Sequence, residues 1–270
     1  MSEVIVSLPM YDWPEVQTYN DQFYKELRTS LADQGFIAPP DLDRTTAPVE
    51  QWLDSNLLLS QTCGLPFKTL LKDKVSLVGT PSYGINCGAG SYYSVIVVHQ
   101  DASIDTLDDL QGLTFAYNDK GSQSGYAALL YTLSALDNDE KSLVKSFNSS
   151  FESGSHRASI QAVAMGQADF AAIDALSWEL ALRHEPAAQK LRVIATSEPT
   201  PTLPFITARR SRKEIDRLHM AVVDAMISLD EETREALLLI GFSPLKERDY
   251  DVIETRLNIV RRTFGMGYEI

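Results

Sequence analysis

Short apolar runs alternate with amphipathic stretches along most of the chain. Val4-Ile5-Val6-Ser7-Leu8 is β-branched and stopped by Pro9, which predicts a strand. Between Pro14 and Gln34, Phe23, Leu27 and Leu31 recur at spacing four, predicting a helix that Gly35 ends. Leu57 to Gln61 and Val75 to Thr80 read as strands, and Val95-Ile96-Val97-Val98, within Tyr92 to His99, as a strand buried on both faces. The alternation continues with a strand at Leu113 to Tyr117, a helix at Ser124 to Leu136, a strand at Val144 to Phe151 and a helix at Arg157 to Met165. Strand Asp169 to Ile173, helix Ala175 to Arg183, and strands Leu191 to Thr196 and Leu203 to Ala208 follow. Helices near Arg212 to Ser228, Glu231 to Ile240 and Tyr250 to Thr263 complete the pattern. Strands that alternate with helices predict an α/β fold with mainly parallel sheets covered on both faces.

Two breaks interrupt this rhythm. Gly84 to Gly90 is Gly-rich and Glu198 to Pro204 is Pro-rich. If the chain crosses between lobes at both, residues 91–197 form one lobe and residues 1–90 with 198–270 form the other. Such a chain has two hinge crossings, near residues 88–92 and 196–203, which suits closure around a ligand.

Composition narrows the function. The 270 residues carry a net charge of −13, and no Lys/Arg-rich block marks a nucleic-acid face. A negative protein repels anions at long range, so any anion site must work through local donors. No apolar run approaches the ~18 residues of a membrane span, so the chain is not expected to be membrane-embedded. Met1-Ser2-Glu3 and the short run after it lack the form of a secretory signal. The expectation is a periplasmic location if a signal has been removed and a cytoplasmic one otherwise. Cys63 and Cys87 are either independent thiols or one disulfide, since both fall in loops at the same rim of lobe one.

In a parallel α/β sheet, ligands bind at the carboxyl ends of the strands. Three segments there carry chemistry. Asp119 to Gly125 contains Ser122, Gln123 and Ser124 at a helix start, where free N–H groups, hydroxyls and the helix dipole favour an anion. A serine there is also an ordinary cap, which accounts for one serine but not for the second with its glycines. Ser153-Gly154-Ser155-His156-Arg157 opens the next helix. His156 reads equally as an anion donor, whose imidazolium a bound anion favours and the helix dipole opposes, or as a surface histidine beside a serine cap. Asp174 reads first as an N-cap, and second as an acceptor for a protonated ligand oxygen or an ammonium group. Tyr11, Tyr92 and Trp178 can wall a pocket. Ser124, His156 and Asp174 resemble a hydrolytic set, but the glycines of a nucleophile elbow are missing. The histidines lack metal-ligand spacing, and neither a metal nor a cofactor is expected.

These residues resemble a known family. The matching stretches are Ser60 to Pro66, Tyr92 to Val98, Asp108 to Gly112, Ser122 to Tyr126, Gly154 to Ser159, Gly166 to Asp174 and Leu203 to Phe205. They are similar to the phosphate, phosphite and phosphonate substrate-binding proteins of ABC transporters, with the two-lobed type II periplasmic-binding-protein fold. The resemblance implies a non-enzymatic transport protein that closes over a small oxyanion through Ser122, Gln123, Ser124 and His156. Gly125, Tyr11, Tyr92 and Asp174 join them as expected ligand contacts. The implied partner is an ABC permease, and a monomer is expected. Two other readings use the same fold: an intracellular enzyme of the thiamine-pyrimidine-precursor type, with Cys63 or His156 as its reactive group, and a ligand-sensing module.

Overall fold

The computed structural model describes residues 4–136 and 147–264. The chain divides into two compact units. Unit one holds the described residues of Met1–Ser91 and Pro201–Asp251, and unit two those of Tyr92–Thr200 and Val252–Ile270. The chain passes between them at 91–92, 200–201 and 251–252, so the last helix groups with unit two. The Pro-rich break alone places that helix, within residues 198–270, in lobe one.

The sheet of unit one has the order β1-β2-β11-β3-β12. Its strands are β1 (Ile5–Val6), β2 (Leu57–Gln61), β3 (Val75–Tyr83), β11 (Phe205–Ala208) and β12 (Leu239–Ser243). Helices α1 (Gln17–Asp33), α2 (Pro48–Leu53), α3 (Gly64–Lys68), α7 (Arg212–Ser228) and α8 (Glu231–Ala236) accompany it. The spacing-four positions Phe23, Leu27 and Leu31 of α1 are buried, as are Leu218, Val222 and Ala225 of α7, against which α1 packs.

The sheet of unit two has the order β7-β6-β8-β5-β9. Its strands are β5 (Ser94–His99), β6 (Thr114–Tyr117), β7 (Ser149–Glu152), β8 (Phe170–Asp174) and β9 (Leu191–Thr196). Its helices are α4 (Ala128–Leu136), α5 (His156–Ala164), α6 (Ala175–His184) and α9 (Asp251–Phe264). Phe115 and Phe170 stack with ring centroids 5.2 Å apart, inside a core that includes Ile96, Val98, Leu129 and Leu133. The short strands β4 (Ser91–Tyr92) and β10 (Thr200–Pro201) pair with each other.

The architecture is α/β, but its sheets are mixed rather than mainly parallel. β5 runs antiparallel to both of its neighbours, β8 and β9, and β11 is antiparallel to β2 and β3. These are the first long strands after the crossings at 91–92 and 200–201, and each inserts in reverse between strands of its sheet. A second correction concerns Ala236 to Ile240, read as the end of a helix. The helix stops at Ala236, Leu238 takes φ +54°, and β12 begins at Leu239 along the edge of β3. The strand expected over Val144 to Phe151 is seen at Ser149–Glu152, and its first positions, 144–146, lie outside the described residues.

Cys63 and Cys87 are free thiols, which corrects the bridged alternative. Both follow strands that leave at one rim, because β2 and β3 point the same way across β11. Gln61 at the end of β2 lies level with Gly79 across β11, whereas β3 runs four residues further to Tyr83 before the loop that carries Cys87. A disulfide needs Cα atoms within about 7 Å. Burial raises the Cys87 pKa, which favours the inert thiol.

Candidate functional site

Strands β6, β7 and β8 are the mutually parallel part of the unit-two sheet. Their carboxyl ends therefore share one rim, and each leads into a helix that starts there. Hydrogen bonds tie two of the connecting loops together. The backbone N–H of Ser153 donates to the Tyr117 carbonyl at 2.7 Å, and that of Gly154 to the Asn118 carbonyl at 3.1 Å. The Ser153 hydroxyl donates to the Tyr117 carbonyl at 3.0 Å. Gly154 sits at φ +91°, a conformation side-chain-bearing residues rarely adopt.

The segment after β6 opens with a π-helical turn, Gln123–Ala127, which runs into α4. Ser122 caps it: its Oγ accepts from the Gly125 N–H at 3.0 Å. One serine is thus spent on the cap. Ser124 is not. Its Oγ lies 3.0 Å from His156 Nε2, and its carbonyl accepts from the Ser94 hydroxyl at 2.9 Å. Ser122, Gln123 and Ser124 are all buried, at 6%, 2% and 4% exposure, which is unusual for three successive polar side chains at a loop. Gly125 packs so closely that a Cβ would fall 1.8 Å from Asn118 Oδ1 and 3.0 Å from His156 Cε1.

His156 is the first residue of α5, behind Ser155, whose hydroxyl accepts from the Ala158 N–H at 3.0 Å. The residue is half-buried, but its Nδ1 is fully buried and has no hydrogen-bond partner. Burial lowers its pKa to about 4. The ring is therefore neutral near pH 7 in this structure. A neutral ring still supplies one N–H, and the Ser124 hydroxyl can take either role toward it.

Asp174 ends β8 and caps α6, accepting from the Ser177 N–H at 2.9 Å. Its Cα pairs with that of Ser94, so it adjoins the Ser124 turn through one residue. Tyr92 is buried two positions before Ser94, at the end of β5 that meets the same rim. Trp178 is buried within α6. Tyr11 lies in unit one, edge-on to Tyr83 at 5.5 Å beside a small cavity of about 30 Å³. The structure thus joins Ser122, Ser124, Gly125 and His156 directly. It also adds Ser94 and Asn118, which the sequence reading passed over. Asn118 was visible there only as the first residue after a strand, and Ser94 only as a strand position.

The arrangement supplies neutral donors at the meeting of two helix starts. It does not supply a hydrolytic triad. Asp174 is occupied in capping α6, and His156 Nδ1 has no carboxylate to orient it. Among the described residues, no group of three or more His, Cys, Asp or Glu side chains is placed to hold a metal ion, and no helix is long and apolar enough to cross a membrane.

Several solved structures share the fold across nearly the whole chain. A binding-protein component of an ABC phosphonate transporter from Pseudomonas aeruginosa superposes with TM-score 0.72 and 19% identity, over 97% of this chain and 88% of that one. PhnD1 from Prochlorococcus marinus, in complex with methylphosphonate, gives 0.71 and 18%, over 97% and 98%. A Xanthomonas citri protein bound to ATP gives 0.69 and 16%, over 98% and 99%. No curated protein matches in sequence. At these identities the structural likeness establishes the fold. The family model for the ABC transporter phosphonate periplasmic substrate-binding protein matches residues 61–251, most of the chain. The chain therefore belongs to the phosphonate ABC-transporter periplasmic substrate-binding proteins, a family of non-enzymatic carriers.

Proposed function

We propose that this protein binds phosphate, phosphite or a phosphonate at the β6–β7–β8 rim of unit two and delivers it to an ABC permease from the periplasm. The observation that carries this reading is the 3.0 Å contact between Ser124 Oγ and His156 Nε2. It brings two helix starts, each contributed by a separate strand–loop–helix segment, to one point. The backbone N–H groups of residues 123 and 124, the Ser122, Gln123 and Ser124 side chains and the His156 ring are the proposed donors, the Gly125 N–H being taken by the Ser122 cap. Asp174 and Tyr92 border them. Tyr11 belongs to unit one and carries no part of this argument. The crossings at 91–92 and 200–201 serve in this reading as a hinge. The methylphosphonate held by the Prochlorococcus protein gives the reading its ligand class.

A thermal-shift screen tests it. A ligand at about a hundred times its Kd stabilises the native state by about 2.7 kcal/mol. Phosphate, phosphite or methylphosphonate should raise the melting temperature, and dicarboxylates such as malate should not. A shift with dicarboxylates and none with phosphorus oxyanions would overturn the reading.

A further inference from the structure

We propose that this site takes its oxyanion singly charged, as a partly protonated phosphorus oxyacid, and discriminates against the dianion. The inference rests on the reading that the Ser122–Gly125 turn and His156 hold the anion. Every donor there is formally neutral: hydroxyls, backbone N–H groups and one uncharged imidazole. Among the described residues of unit two, two arginines near the rim are committed to carboxylates. Arg157 is held by Glu185 at 2.7 Å, and Arg256 by Glu198 at 2.7 Å. Lys120 lies exposed in the loop before the turn. Against them stand Asp119 in the same loop, Glu152 at the end of β7 and Asp174 at the end of β8. The residues of α4 carry no charge, and Glu179, Arg183 and His184 of α6 lie beyond its first turn. The negative surroundings act on Tyr117, whose pKa is raised first by burial and then by Tyr126, Glu152 and Asp119.

Helix dipoles and neutral donors suffice for one negative charge. Among the described residues, a second charge meets no cation within the turn itself and repels the carboxylates, Asp174 above all, in a partly desolvated setting. The second proton of phosphoric and phosphonic acids is lost near neutral pH, so the discrimination falls in an accessible range.

Calorimetric titration of phosphite and methylphosphonate between about pH 5.5 and pH 8.5 tests the inference on the intact protein. Affinity for each ligand should fall about tenfold per pH unit above that ligand's own second ionisation. The fall should begin at lower pH for phosphite, the stronger acid. Asp174→Asn, which keeps a capping side chain, should narrow the discrimination several-fold. Affinity that is level or rises through the second ionisation overturns the proposal. So does a single midpoint common to both ligands, which would report a titrating protein group. Absence of binding to either ligand at every pH would instead defeat the site assignment on which the proposal rests.

Discussion

Gly125 shows how closely the site is built. Its α-carbon lies against Asn118 Oδ1, a buried acceptor with no hydrogen-bond partner, so any side chain there must displace Asn118 or the His156 ring. Gly125→Ala should destabilise the fold by about 1–3 kcal/mol, the usual cost of overpacking. Asn118→Ala in the same chain should restore much of that loss, since it removes the clash. Denaturant midpoints of the two single variants and the double variant measure the coupling, and additive losses would argue against the contact. His156 makes a second prediction. Its pKa falls from 6.5 to about 4 on folding because burial penalises the charged ring. Between those values the unfolded chain binds the proton and the native one does not. Stability therefore falls as pH drops from 6.5 toward 4, by on the order of 3 kcal/mol for complete passage. Above 6.5 the residue imposes no slope. In His156→Gln this part of the acid sensitivity should vanish, which unfolding curves at neutral and mildly acid pH would reveal. An unchanged pH slope in the variant would contradict the buried, neutral ring.

At the scale of elements, legibility followed local pattern. The long helices α1 and α7 were read almost to their ends, because their apolar positions repeat at helical spacing over several turns. The run Ala236 to Ile240 was misread because five apolar residues have no period to measure, and what decides them is the free edge of β3. The π-helical start at Gln123–Ala127 was not legible either, since an α-helix can open with the same residues. Such turns are frequent at functional sites, and here it sets the Ser124 hydroxyl against the ring of another helix. The start of α7 carries a capping box. Glu214 accepts from the Ser211 backbone N–H at 3.0 Å and from its hydroxyl at 2.6 Å. Ser211→Ala should lower stability by about 1 kcal/mol without affecting ligand binding, and chemical denaturation with a parallel binding assay would check both halves.

For the whole molecule, the mixed sheets were hidden because strand order depends on contacts between residues distant in sequence. Val95 to Val98 reads as a buried strand, yet nothing in its residues says that it enters between β8 and β9 in reverse. The rim survived this error. Ser122, His156 and Asp174 all follow β6, β7 and β8, the strands that do run parallel. Of the two cysteine alternatives, the structure has the free thiols. A protein of net charge −13 that holds an anion depends on local donors, so removing one should be felt directly. The most direct measurement is calorimetric titration of phosphate, phosphite and methylphosphonate into the wild type and Ser124→Ala near neutral pH. The wild type should bind at least one of them, and the variant should lose about 1–3 kcal/mol of that binding. Equal affinity in the two proteins would contradict the placement of the oxyanion at the Ser124–His156 junction.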